Sequence, residues 1–195
     1  MPLGPVGPLG GADPAMVRAR KSVILAWVGL TVLSMLAAYL FFLQVLGYMY
    51  YDLVAGLAVS TLESLGVRSE AEGNMVAVAV GRSWTAVRIG WECSGVVSFT
   101  VYTGLVSGFP CVTLKKRLLG LALGYAAIFF GNFLRIVLIL YLSSMFPNLS
   151  YILLHDLFGR PISFLWMTTI WFAWFYFVFI KAPGEMESIK DVSVQ

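Results

Sequence analysis

The chain has 195 residues, of which 59% are hydrophobic and only 12% are charged. Soluble globular domains carry about 25% charged residues, so this composition indicates a membrane protein and argues against a soluble enzyme. The net charge is only +3, and neither a phosphate-binding loop nor a basic nucleic-acid patch is present, so we expect no nucleic-acid partner.

Four stretches of the sequence are long and, apart from one arginine, uncharged. They cover 22–51, 93–114, 118–154 and 161–180. Each is long enough to cross a hydrocarbon core, which needs about 20 helical residues. The predicted fold class is therefore an all-α polytopic membrane protein with about four transmembrane helices. We expect one membrane-embedded domain over 22–181, a flexible tail over 1–21 and a second tail over 182–195.

Basic residues cluster at both ends of the chain and between the second and third spans: Arg18, Arg20, Lys21, Lys115, Lys116, Arg117, Lys181 and Lys190. Cytoplasmic loops of membrane proteins are enriched in lysine and arginine. We therefore predict a multi-pass protein of the cell membrane with both termini in the cytoplasm. Segments 47–91 and 147–160 then lie on the outer face.

The segment between the first two spans has two parts. Residues 52–66 show helical spacing of apolar residues but are too few to cross, so we expect an interfacial or re-entrant helix. Residues 75–80 and 84–89 are rich in valine and aromatic residues on either side of a Gly81 turn, which predicts a small extracytoplasmic β-hairpin. Tyr50, with other aromatic residues near the outer edge, is assigned to an interfacial belt.

Arg135 is the only charged residue between Leu118 and Leu154. A charged side chain at membrane depth costs a few kcal/mol, so an intramembrane arginine indicates a functional site. Counted from Leu118, Arg135 lies about 26 Å into a core of about 30 Å, which is the level at which Cys93 begins the second span. A snorkelling arginine is the alternative, and the apolar run that follows Arg135 argues against it.

Cys93, Arg135 and the only histidine, His155, are all predicted on the outer face. Cys111 is predicted about 27 Å from Cys93, and bridged cysteines need Cα atoms within about 7 Å, so no disulfide is expected within one chain. A cysteine is nucleophilic as the thiolate, which a nearby cation favours, and a histidine suits proton transfer near neutral pH. Arg135 either favours the thiolate or stabilises the oxyanion of a tetrahedral intermediate, and the sequence leaves both roles open.

Three short motifs follow one another along the chain. They are Glu92-Cys93-Ser94-Gly95, then Asn132 with Arg135 three residues later, then His155 with Gly159 four residues later. Together they resemble the C-S-G, N-x-x-R and H-x-x-x-G motifs of the exosortase/archaeosortase family over about residues 45–175. The sequence departs from the family after the glycine, where Arg160 replaces a frequent aromatic residue. Because some relatives carry an arginine in place of the histidine, Arg160 is a candidate substitute for His155.

The resemblance implies a membrane-embedded, sortase-like cysteine protease/transpeptidase. Such enzymes cut secreted proteins that end in a short motif, a transmembrane helix and a basic tail, and they pass the acyl group to a membrane lipid or another nucleophile. Cys93 is then the nucleophile, Arg135 the electrostatic stabiliser and His155 the acid/base. The supporting residues are Glu92, Ser94, Asn132 and Arg160, and either Glu92 or Asp156 orients His155. No cofactor is implied.

Other classes of protein fit the sequence less well. The main alternative is a non-enzymatic membrane binder or small transporter that uses Arg135 for an anionic ligand and does not need Cys93. Membrane thiol redox proteins present a C-x-x-C pair, which this chain lacks. One histidine and one outer cysteine supply too few ligands for zinc, so no metal is expected.

Overall fold

The computed structural model describes residues 14–109, 112–146 and 153–179. These residues form mainly helices, together with one small sheet. Cys111, the predicted tail 182–195 and most of the predicted tail 1–21 lie outside the described residues. Within them, three helical stretches are long and apolar enough to span a membrane: Ser22–Ser64, Leu114–Met145 and Leu154–Val178.

The first long stretch contains two helices joined by a π-helical turn. Helix α1 covers Pro14–Phe41, the turn covers Phe42–Leu46, and helix α2 covers Gly47–Ser64. The predicted helix over 52–66 corresponds to α2, which begins earlier, at Gly47, where a φ of 34° interrupts the regular helical backbone. Its interfacial or re-entrant position stays a prediction. Its apolar residues form a stripe that is buried inside the protein: Val54, Ala55, Ala58 and Leu62. Helix α1 also begins inside the segment that was predicted as a tail.

A three-stranded antiparallel sheet follows α2. Its strands are β1 (Ser69–Glu72), β2 (Met75–Val80) and β3 (Ser83–Arg88), in the order β1-β2-β3. The predicted β-hairpin is β2 and β3, whose ends pair as Val80 with Ser83. Strand β1 was not predicted because its sequence, SEAE, is polar and has no apolar alternation.

Three helical elements complete the fold. Helix α3 covers Val96–Gly108, and α4 covers Leu114–Met145. A second π-helical segment, Leu154–Gly159, continues into α5 (Arg160–Phe179). The prediction of a full span over 93–114 is corrected, since α3 has 13 residues and is only about 20 Å long. The predicted boundaries of the last two spans shift as well, because α4 ends at Met145 and the final stretch begins upstream of residue 161.

Helix α3 packs closely along α1 through two glycines. A Cβ atom on Gly104 would lie 2.1 Å from the Met35 side chain, and one on Gly108 would lie 1.9 Å from Thr31. Small residues allow membrane helices to approach this closely. The short helix is therefore held against a longer one, and its N-terminus is fixed beside α4.

We predict that Gly104→Leu destabilises the protein, because the added side chain must displace the backbone of α1 or α3. Overpacking of this kind costs about 1–3 kcal/mol. The measurement is the thermal unfolding midpoint of the purified protein in detergent. Gly29→Leu is the matched control, since a Cβ atom on Gly29 of α1 has no neighbour within 4 Å. Equal midpoints for the two variants would contradict the close α1–α3 packing.

Candidate active site

Cys93 lies in a tight turn between the sheet and α3. The backbone N–H groups of Cys93 and Ser94 donate to the carbonyl of Gly90 at 3.1 and 2.9 Å. Gly95 then adopts φ +89°, a left-handed conformation that favours glycine, and caps α3. A Cβ atom on Gly95 would also lie 2.6 Å from the Asn132 side chain. The turn thus places the half-buried Cys93 just before the N-terminus of a helix.

Tyr50 of α2 holds this turn from the other side. Its hydroxyl donates to the Ser94 carbonyl at 2.8 Å. The sequence assigned Tyr50 to an interfacial belt, and its contact with the cysteine turn was missed. No local pattern could have found it, because the two residues are 44 positions apart.

Arg135 of α4 connects the cysteine turn to the last helical stretch. Its side chain is only 5% exposed. Nη2 donates to the backbone carbonyl of Cys93 at 2.7 Å, and Nη1 donates to the carbonyl of Gly159 at 3.2 Å. A guanidinium with these buried partners does not match a snorkelling side chain. The arginine instead fixes two segments that are far apart in the sequence.

Asn132, one turn before Arg135, makes a second connection. It is 4% exposed, and its Nδ2 donates to the carbonyl of Ile128 at 2.9 Å. Its Oδ1 accepts a hydrogen bond of 3.3 Å from the Ser163 hydroxyl of α5. Because Asn132 also packs against Gly95, it holds α4 between the cysteine turn and α5.

His155 lies in the second π-helical segment, and its ring contacts Cys93. The distance from His155 Nε2 to Cys93 Sγ is 3.3 Å. On the other side of the ring, Nδ1 lies 2.8 Å from Asp156 Oδ1. His155 is 9% exposed, so most of the ring is shielded from solvent. Single-turn π-helical segments are frequent at functional sites, where they change the direction of a side chain.

Three charged side chains form an exposed rim beside the histidine. Arg160 Nε lies 3.2 Å from Asp156 Oδ1, and Arg160 Nη2 lies 3.6 Å from Glu92 Oε2. The sequence left open whether Glu92 or Asp156 orients His155, and in the structure the contact is made by Asp156. The side chain of Arg160 is 62% exposed and points to the two carboxylates.

A cavity of about 10 Å³ adjoins Cys93, Arg135 and His155. This is about the space that one water molecule needs. The sheet supplies one wall through Val76, Val87 and Ile89, and α4 supplies another through apolar residues that follow Arg135. The three polar side chains therefore meet beneath an apolar cover that the sheet provides.

The family described as "Transmembrane exosortase (Exosortase_EpsH)" matches residues 15–172, which is most of the chain. The chain belongs to the transmembrane exosortase family. Membership confirms the resemblance carried by the three motifs, the membrane-embedded fold class and the expectation of a sortase-like enzyme. A search of curated proteins found no match. A search of solved structures found none either.

Most of the site residues predicted for this exosortase lie together. Cys93, Arg135 and His155 converge. Ser94 and Asn132 support the turn that carries Cys93. The charged rim includes Glu92 and Arg160. Sequence reasoning missed Tyr50, Ser163 and the apolar residues of the sheet. Of these residues, only Ser163 had a signal in the sequence, because it closely follows Gly159 of the third motif.

We predict that Tyr50→Phe destabilises the exosortase, because it removes the hydroxyl that satisfies the Ser94 carbonyl and retains the ring. The expected cost is about 1 kcal/mol, measured as a lower thermal unfolding midpoint in detergent. Tyr48→Phe is the control, since Tyr48 is 77% exposed. An unchanged midpoint for Tyr50→Phe would show that the hydrogen bond does not support the turn.

Proposed function

We propose that this exosortase is a cysteine protease/transpeptidase of the cell membrane. In this proposal it cleaves a C-terminal sorting signal of secreted proteins at the extracytoplasmic face and transfers the acyl group to a lipid or another nucleophile. The observation that carries the proposal is the contact between Cys93 Sγ and His155 Nε2, 3.3 Å apart, with Asp156 on the opposite ring nitrogen. A nucleophile, a base within reach and a third group that orients the base form the arrangement used in acyl transfer.

The first half-reaction forms a thioester. His155 Nε2 takes the proton of the Cys93 thiol, and Sγ attacks the scissile carbonyl carbon. When the C–N bond breaks, His155 gives the proton to the leaving amine. The Asp156 carboxylate accepts a hydrogen bond from Nδ1–H, which keeps Nε2 available for both transfers.

The second half-reaction releases the product. An acceptor such as a lipid headgroup approaches the thioester carbonyl, and His155 removes its proton as the new bond forms. The C–S bond then breaks, and His155 returns the proton to the Cys93 sulfur, which restores the thiol. Water as the acceptor would give hydrolysis, so the nature of the acceptor decides between a protease and a transpeptidase.

Two features support a reactive sulfur. Cys93 lies next to the N-terminus of α3, where the helix dipole favours negative charge. The Arg135 guanidinium is buried beside the same residue, where its field is weakly screened. Because it donates to the backbone carbonyls of Cys93 and Gly159, we propose that it positions Cys93 and the segment that carries His155 and also supplies positive charge to the thiolate or the oxyanion.

The charged rim supports the histidine in this proposal. Arg160 contacts both Asp156 and Glu92 from an exposed position, and its nearest described partners are these carboxylates. We therefore propose that Arg160 holds the Asp156 carboxylate toward His155 and does not replace the histidine.

In this proposal, residues 22–181 form the catalytic domain.

The distribution of charge supports the proposed topology. Lys115 precedes Arg135 by 20 residues of α4, so the basic cluster and the site are separated by about 30 Å. With the basic cluster in the cytoplasm and α3 as a short fourth crossing, the site faces the exterior and both termini are cytoplasmic. An exterior site fits a secreted substrate that ends in a transmembrane helix and a basic tail.

We predict that Cys93→Ala abolishes processing, with a loss of at least about 10³-fold, because it removes the sulfur that forms the acyl intermediate in this proposal. The measurement is the mass of a co-expressed secreted protein that carries a C-terminal helix and basic tail. Cys111→Ala is the matched control and should process normally. Processing that survives Cys93→Ala would favour the membrane binder or transporter that uses Arg135.

We predict that Asp156→Asn lowers kcat by roughly 10²-fold or more and leaves KM nearly unchanged, since the carboxylate acts through His155 and not on the substrate. The measurement is steady-state cleavage of a fluorogenic peptide by the purified enzyme in detergent. Glu92→Gln removes only the exposed contact with Arg160, which is worth at most about 1 kcal/mol. Equal kcat losses in the two variants would refute a special role for Asp156.

A further inference from the structure

The sheet beside the cysteine turn has an edge, on β3, that no described strand or helix pairs with. Val80 of β2 pairs with Ser83 of β3 across the hairpin turn. Beyond the other end of β3, the N–H of Ile89 donates to the Asn74 carbonyl at 2.8 Å. In antiparallel strands every second residue bonds to the neighbouring strand, so the odd-numbered residues of β3 bond to β2. The backbone N–H and C=O groups of three exposed residues therefore point away from β2: Trp84, Ala86 and Arg88.

The opposite edge of the sheet, on β1, is protected. Strand β1 has only four residues and carries Glu70 and Glu72. Helix α2 packs against it, and the buried Ser69 hydroxyl donates to the Val59 carbonyl of α2 at 3.4 Å. Natural edge strands are protected by such short lengths, charges and covering helices. Strand β3 has six residues, SWTAVR, without proline or lysine, and its register with β2 is continuous. Its edge therefore remains open to another extended chain.

The open edge of β3 ends at the proposed catalytic site. Ile89, the residue directly after β3, lines the small cavity together with Cys93 and His155. From Trp84 to Arg88 the edge is about 13 Å long, which is enough for about five residues of an extended peptide. A peptide that lies along this edge and continues past its end would reach the cysteine turn.

The chemistry of the proposed substrate decides which of its segments fits the edge. Residues after the scissile bond lead into a transmembrane helix, whose backbone groups bond to one another within the helix. The segment before the scissile bond still has its N–H and C=O groups available, and such segments bind to open sheet edges as an added strand. Because β3 runs toward Cys93, a segment that places its scissile bond at Cys93 lies parallel to β3.

We propose that the open edge of β3 binds the extended substrate segment before the scissile bond as a fourth strand of the sheet. The inference rests on the proposed cysteine chemistry, and it names the surface that presents the substrate to that chemistry. The backbone groups of Trp84, Ala86 and Arg88 make the hydrogen bonds. Recognition through the backbone tolerates different side chains, and it holds the scissile carbonyl in one register beside Cys93.

The first test measures the binding of a synthetic peptide to the full-length Cys93→Ala protein in detergent, so that no cleavage occurs. The peptide carries fluorescein and covers the segment directly before the C-terminal helix of the co-expressed secreted protein. N-methylation of one amide at a time removes single N–H donors. Every second N-methyl group should weaken binding about five-fold, because alternate residues of a strand bond to its neighbour, and the positions between them should have little effect.

A pair of protein variants tests the edge itself. Ala86→Pro removes an outward N–H group and places a ring at the middle of the edge, so the affinity for the peptide should fall at least about ten-fold. The sheet should remain folded, because the N–H of Ala86 does not bond to β2 and proline is tolerated on edge strands. Ala71→Pro is the matched control, since the N–H of Ala71 in β1 also points away from β2, and it should bind the peptide like the parent protein. The thermal unfolding midpoints of both variants check the fold.

Four results would overturn the proposal. They are the absence of peptide binding, no alternation along the N-methyl series, equal affinities of Ala86→Pro and Ala71→Pro, and a dimer of the purified protein that Ala86→Pro dissociates. The last result would assign the edge to a second copy of the chain. Alternating binding without cleavage by the wild type would reject the cysteine chemistry alone, whereas cleavage without alternation would reject the docking edge alone.

Discussion

The buried guanidinium of Arg135 is the interaction on which the rest of the site depends. A charge at membrane depth is costly, and here two of its hydrogen bonds go to the backbone carbonyls of Cys93 and Gly159. The guanidinium therefore lies beside the residue that carries the sulfur. The same two bonds fix the turn that carries Cys93 and the π-helical segment that carries His155, so position and charge come from one side chain.

The spacing of the three motifs follows from how they pack on one another. Gly95 needs a left-handed backbone and lies against Asn132, so the glycine of the first motif fits the asparagine of the second. Gly159 lies against Arg135 and offers it a carbonyl, so the glycine of the third motif fits the arginine of the second. Helix α4 therefore holds both of the other segments, and a substitution in any motif changes the fit of its neighbour.

Much of this arrangement could be predicted from the sequence, and what could not depends on tertiary contacts. The uncharged runs predict the membrane class, and the isolated charge of Arg135 predicts a functional site. The runs rich in valine and aromatic residues on either side of Gly81 predict the hairpin of β2 and β3. The polar strand β1 forms because β2 offers it hydrogen bonds, which leaves no signal in its own residues. The bond from Tyr50 to the Ser94 carbonyl likewise joins distant segments and leaves no local signal.

In the proposed chemistry, the sheet favours acyl transfer over hydrolysis because it covers the site. Val76, Val87 and Ile89 cover the thiol and the guanidinium, and the space beneath them is about 10 Å³. A peptide cannot enter so small a space, so it must reach the half-buried Cys93 by another side that the sheet leaves open. A space of this size admits about one water molecule, so the sheet limits the water that can reach a thioester and leaves the field of the buried arginine weakly screened. An acceptor that arrives through the membrane on the open side would then meet the acyl group before bulk water does.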